Sequence, residues 1–135
     1  MIPRTVLIAV EPFGEGLSAV HTGAAIGRGL QAGDPSLGVE LCPIEPTAPA
    51  DFDARMRAAR AVVVGAERLD ERTLLGSAVF EIATRARQAG VPAYAVTAEN
   101  ALSLFDARIL DLQVILQARD TRTLRRAGER LAGLV

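Results

Sequence analysis

Lysine is missing from this sequence altogether: all fifteen basic residues are arginine. That absence excludes Schiff-base chemistry, a lysine general base and a phosphate loop built around lysine. There is no tryptophan, and histidine occurs once, at His21. With no second His or Cys at metal-ligand spacing, His21 does not suggest zinc. The single cysteine, Cys42, can make no intramolecular disulfide and reads as a small buried hydrophobe. No Gly-x-Ser-x-Gly elbow occurs, which leaves that hydrolase class without support. No apolar run nears the roughly 20 residues of a membrane-spanning helix, and Thr5 to Val10 is too short for a signal-peptide core. A cytoplasmic protein with no membrane partner is the expectation. Sixteen acidic residues almost balance the arginines, and a net charge of −1 gives no general attraction to nucleic acid.

What is present is a chain of 135 residues, 50% hydrophobic and 23% charged, the profile of one globular domain over residues 1–135. Strand and helix signals alternate. Thr5 to Val10 suits a strand buried on both faces. Phe13-Gly-Glu-Gly-Leu-Ser18 is a glycine-rich turn opening a helix from Ala19 to about Ala32, with Ser18 as N-cap and Gly33-Asp34-Pro35 as its stop. Further strands are expected at Val39–Pro43, Ala61–Gly65 and Val91–Thr97. A helix from about Arg72 to Ala89 should bury Leu75, Val79, Ile82 and Ala86, pair Glu81 with Arg85, and stop at Gly90. Residues 109–116 fit a fifth strand and a helical turn equally well, and an amphipathic helix from Arg119 to Leu134 closes the chain. Cys42 to Asp53, with three prolines, reads as an extended connector. The alternation predicts a three-layer, Rossmann-like α/β fold: a mostly parallel sheet of four or five strands with helices on both faces.

Ligands of open parallel sheets bind beyond the carboxyl ends of the strands. Those ends should carry Glu11 and Glu15, Glu45, Glu67 to Asp70, and Thr97 with Glu99. Carboxylates such as Glu11 and Asp70 converging there could hold Mg²⁺; the simpler reading makes Glu15 and Glu99 solvated loop residues and Asp70 a helix cap. Gly14 and Gly16 before a helix start have the ingredients of an anion cradle, without the third glycine of a dinucleotide fingerprint. Thr97 on an acidic rim also suggests a phospho-receiver, which the missing lysine opposes. In the last helix Arg119, Arg122, Arg126 and Arg130 fall on one face, a basic stripe diluted by Asp120 and Glu129 and simplest as a solvated face.

Two segments carry a resemblance. Thr5-Val-Leu-Ile-Ala-Val-Glu-Pro-Phe-Gly-Glu-Gly-Leu-Ser18, with the Ala/Gly-rich helix after it, resembles the start of bacterial glycerate kinases, where a strand enters an Asp-Ser-Phe-Lys-Gly-Ser-Leu-Ser loop. Gly65-Ala-Glu-Arg-Leu-Asp-Glu-Arg-Thr-Leu-Leu-Gly76, followed by Ala89-Gly-Val-Pro92, resembles that family's Gly-Glu-Gly-Arg-Leu-Asp-x-Gln-Thr-Leu-x-Gly-Lys block. The resemblance implies a ligand rim built from Glu11, Phe13, Gly14, Gly16, Ser18, Glu67, Arg68 and Thr73, with Asp70 as the catalytic position and Glu11 and Asp70 on Mg²⁺. The departures are as informative. Gly14 and Ser77 stand where the family has lysines, and Pro43-Ile-Glu-Pro-Thr47 stands where a long segment with an Ala-Asp-Gly-Gly-Glu-Gly-Thr motif should begin. Loss of two phosphate-pairing cations should remove phosphoryl transfer, which rests on positioning and charge neutralisation. The expected function is therefore a reduced, kinase-inactive relative that takes a small anionic or hydroxy-acid ligand or serves as an interaction module. The alternative is an active kinase using ATP and Mg²⁺ on glycerate or a similar hydroxy acid, completed by a partner subunit. A homodimer is expected, because Val20, Ala24, Ala25, Ile26 and Leu30 spread beyond one stripe of helix one and Gly23, Gly27 and Gly29 allow close approach.

Overall fold

The computed structural model describes residues 3–44 and 48–135; Glu45, one of the expected rim carboxylates, lies outside the described residues. Five strands, β1 (Thr5–Val10), β2 (Gly38–Leu41), β3 (Ala61–Leu69), β4 (Ala93–Asn100) and β5 (Ile115–Gln117), form one sheet in the order β2-β1-β3-β4-β5. Every pairing is parallel. This is the flavodoxin-like order of doubly wound sheets, whose chain reverses its direction of growth between β1 and β3.

The alternation of side chains along the strands divides the core in two. Val6, Ile8, Val10, Val63, Tyr94 and Val96 pack under α1 (Ala19–Gly33) and α5 (Thr121–Ala132). Leu7, Ala9, Val62, Val64 and Ala95 face α2 (Phe52–Arg57) and α3 (Ala78–Ala89). With both faces covered, central strands must be apolar throughout, and Val6 to Val10 and Ala61 to Val64 are buried without exception. A short α4 (Leu104–Leu110) precedes β5, so the ambiguous segment holds the end of a helix and then a strand.

Three expectations need correction. The helix expected from Arg72 is two elements: a 3-10 turn at Glu71–Leu74, and α3 beginning only at Ala78. Asp70 with Thr73 and then Ser77 each cap a start, and Gly76 at φ +97° breaks the chain between them. Leu75 is consequently 81% exposed, not part of the buried stripe that Val79, Ile82 and Ala86 do form. The connector after Cys42 ends by entering α2 at Phe52, a helix the sequence did not signal, which buries Phe52 and Met56; six residues are too few to display a helical period.

The third correction concerns α1. Of the apolar side chains read as a surface for a second copy, Ala25, Ile26 and Leu30 are buried within the chain, while Val20 stays half-exposed. Gly29 meets α5 so closely that a Cβ there would lie 1.9 Å from the Arg125 carbonyl oxygen, and one on Gly128 would lie 2.1 Å from that of Ile26. Gly27 likewise leaves room for Val39 of β2. Adding a methyl group against backbone cannot be absorbed by a rotamer change. Gly29→Ala should lower the unfolding free energy in a urea titration by about 3 kcal/mol, at the upper end of overpacking costs.

Candidate functional site

The carboxyl ends of β1 and β3 flank the reversal point, and the loops after them build one rim. β1 ends with Val10 beside Gly65, and the Glu11 N–H donates to the Gly65 carbonyl at 2.9 Å. The next turn closes on itself: the Phe13 N–H donates to the Leu17 carbonyl at 2.8 Å, and Gly14 turns the chain at φ +74°. Ser18 then caps α1, its Oγ accepting from the His21 N–H at 3.1 Å and lying 3.1 Å from His21 Nδ1. A Cβ on Gly14 would lie 3.2 Å from Glu67 Oε1, whereas one on Gly16 would meet nothing within 4 Å. The glycine turn therefore faces a carboxylate, and with Glu11 and Glu15 in the same loop it is poorly suited to cradle a phosphate.

β3 and β4 outrun their neighbours, continuing through Arg68 opposite Glu99 and Leu69 opposite Asn100. Arg68 lies between two carboxylates, donating from Nε to Asp70 Oδ2 at 2.9 Å and bridging to Glu99 Oε1 through Nη1. Those hydrogen bonds from Arg68 hold the Asp70 and Glu99 carboxyls below their ordinary range, so both stay ionised. Asp70 Oδ1 accepts from the Arg72 N–H at 2.9 Å, and the Asp70 N–H donates to Thr73 Oγ1 at 3.0 Å. Both oxygens of Asp70 and the hydroxyl of Thr73 are thus occupied by capping and by Arg68. Thr97, fully buried, shares its hydroxyl proton between the Glu67 and Glu99 carbonyls, each 3.2 Å away, and is not presented for phosphorylation.

Glu11 and Asp70 stand apart. With Val10 beside Gly65, Glu11 is level with Ala66, and Asp70 is four residues further along β3, roughly 13 Å at strand rise. Mg²⁺ takes oxygens at about 2.1 Å, so the two carboxylates do not share one ion in this arrangement. Among the described residues no group of three His, Cys, Asp or Glu side chains is placed to hold a metal. The residues present do not fit a Mg²⁺ held jointly by this pair.

A cavity of about 380 Å³ opens on the α1/α5 side of the rim, lined by Phe13, Glu67, Ala98, Glu99 and Arg119. Phe13, Glu67 and Glu99 come from the rim expected from sequence. Arg119 was read only as part of a helix stripe, but it follows β5, which brings it to the rim; its position was hidden because residues 109–116 had no single reading. Among the described residues neither the Glu67 carboxylate nor the Arg119 guanidinium has a hydrogen bond or salt bridge from its side chain. Arg119 also favours the charged form of Glu99.

Glu11 is half-buried, and burial pushes its carboxyl above the ordinary range. A carboxyl raised in the folded state binds its proton more tightly there, so it loses stability as pH rises through that interval. Glu11→Gln should therefore raise the melting temperature relative to the natural protein at about pH 7. Thermal scans below about pH 4, where both folded and unfolded Glu11 are protonated, should show that advantage gone.

The fold is shared with unrelated-looking sequences. A putative pilus assembly-related protein from Burkholderia pseudomallei aligns with a TM-score of 0.57 at 19% identity over 96% of this chain and 89% of its own. A flavodoxin, WrbA-like protein from Agrobacterium tumefaciens aligns at 0.55 and 16% over 96% and 95%. The flavodiiron protein of Giardia intestinalis aligns at 0.60 and 11% over 96% of this chain but 36% of its own. At such identities these similarities speak to architecture alone. No curated protein sequence matches. The sequence profile of the glycerate kinase family matches residues 47–132, which takes in the Gly65–Gly76 block, α4, β5 and α5 but not the first glycine turn. Over well more than half of its length, this chain belongs to the glycerate kinase family.

Proposed function

We propose that this chain is a family member reduced to a ligand-binding domain, taking a small hydroxy acid at its rim without transferring phosphate. The observation that carries this reading is the contrast between two groups of side chains. Asp70, the position the family resemblance marks as catalytic, is engaged on both carboxylate oxygens. Glu67 and Arg119 line the 380 Å³ cavity with their charged ends unpaired among the described residues. A guanidinium matches a carboxylate in a bidentate fork, a neighbouring Glu accepts from a hydroxyl, and Phe13 with Ala98 supplies an apolar wall. Glu99 adds little repulsion, because Arg68 neutralises it. The alternative, an active kinase using ATP and Mg²⁺ with a partner subunit, needs Asp70 released and the missing cations supplied from elsewhere.

Glycerate should raise the melting temperature of the purified protein, and Arg119→Gln should weaken that effect at least tenfold in ligand concentration. At about 100 times its dissociation constant a ligand adds about 2.7 kcal/mol, well within reach of a thermal scan. Incubation with ATP, Mg²⁺ and glycerate should yield no phosphorylated product; turnover lost in Asp70→Asn would establish the kinase alternative instead.

Self-association belongs to this reading, through a different surface from α1. Leu104 and Phe105 at the start of α4 are 85% and 72% exposed, and Leu75 lies on the turn that α4 adjoins. Glu71, Arg72 and Arg108 around them carry both signs of charge, none in a salt bridge among the described residues, which suits a two-fold self-complementary contact. Light scattering at micromolar concentration should give twice 14.2 kDa, and Phe105→Ser should return the single-chain mass. A single-chain mass for the natural protein at every concentration would remove the dimer.

A further inference from the structure

The second basic feature lies along the side of the domain. Arg122, Arg126 and Arg130 occupy successive turns of α5 and are exposed. Among the described residues none of them is in a salt bridge, although Arg125 on the neighbouring flank pairs with Glu129. Successive like charges four residues apart repel, so this row costs the isolated helix a little stability. Arg126 and Arg130 line a cavity of about 200 Å³ with Thr123, Ala127 and, from β5, Leu116 and Gln117. The Thr123 hydroxyl is committed to the Asp120 cap, which leaves two guanidinium groups and the Gln117 amide to meet a ligand over an apolar floor. β5 is the end strand of the sheet, so its outer edge has no strand partner.

We infer that this face docks an extended acidic segment of a partner protein, which runs along β5 and seats a carboxylate between Arg126 and Arg130. Each element of the site selects that partner. The guanidinium fork fits a carboxylate in two parallel hydrogen bonds. An unpaired edge accepts a further strand, and the cationic row beside it repels a second copy of this chain while attracting an acidic one. Nucleic acid fits less well: no aromatic side chain on α5 or β5 offers a stacking platform, and Asp120 sits at the head of the row. The site is separate from the rim cavity, so it stands whether or not a hydroxy acid binds there.

A fluorescently labelled peptide of alternating Glu and Val tests this by anisotropy. The natural protein should bind it saturably and more weakly as salt rises, with slower amide exchange along residues 115–117 in the complex. Arg126→Gln/Arg130→Gln should weaken binding at least tenfold. Arg28→Gln/Arg57→Gln, which removes two exposed arginines from α1 and α2, should leave it unchanged. Circular dichroism of both variants should match the natural protein, since all four side chains are exposed. Equal loss in the two double variants, equal binding of the Gln/Val peptide, unaltered exchange along β5, or tighter binding of oligothymidylate would each overturn the inference.

Discussion

The contact between α1 and α5 sets the geometry on which both cavities depend. Gly29 and Gly128 bring two helix backbones together where any side chain would collide with a carbonyl oxygen. That approach does more than bury Ile26, Leu30, Leu124 and Leu131. The turn carrying Phe13 leads directly into α1, and Arg119 leads directly into α5, so the packing of the helices fixes the distance between opposite walls of the rim cavity. It also decides which flank of α5 faces β5, and therefore which arginines line the second cavity.

At the rim, the family block is held in shape by contacts within the protein. In the Gly65–Gly76 block, Asp70 and Thr73 close a capping box and Arg68 ties the ends of β3 and β4 together through Asp70 and Glu99. These interactions are local and would hold the block in place with or without a phosphorylated substrate. A carboxylate that is capping a turn and paired with a guanidinium is stabilised as an anion, and each of its oxygens already accepts a hydrogen bond. The rim side chains left unpaired among the described residues are Glu67 and Arg119. With no lysine in the chain, the cation of this block is a planar guanidinium anchored by two carboxylates, which lacks the free swing of a flexible ammonium.

Much of the fold was legible because its signals are local. The buried run Thr5–Val10, the Ser18 cap, the Gly90 stop and the Glu81–Arg85 pair each depend on residues within a turn or two of one another. Legibility failed where two local signals competed, as at Asp70, Ser77 and Gly76, and where an element was too short to repeat, as in α2 and β5. The candidate site was legible on the side built from β1 and β3, and in Glu99 at the end of β4. Its other wall, Ala98 and Arg119, belongs to a strand end longer than expected and to a loop whose preceding strand had no single reading.

The sequence by itself determined the alternation of elements, the doubly covered sheet and the chemistry available to it, since apolar periodicity, caps and residue inventory are properties of neighbouring positions. Strand order, the use of α1's glycines within the chain rather than on its surface, and the meeting of Phe13, Glu67 and Arg119 in one cavity were decided by tertiary structure alone. Those features join residues more than a hundred positions apart, and nothing in the local pattern of either partner records which distant backbone it will meet.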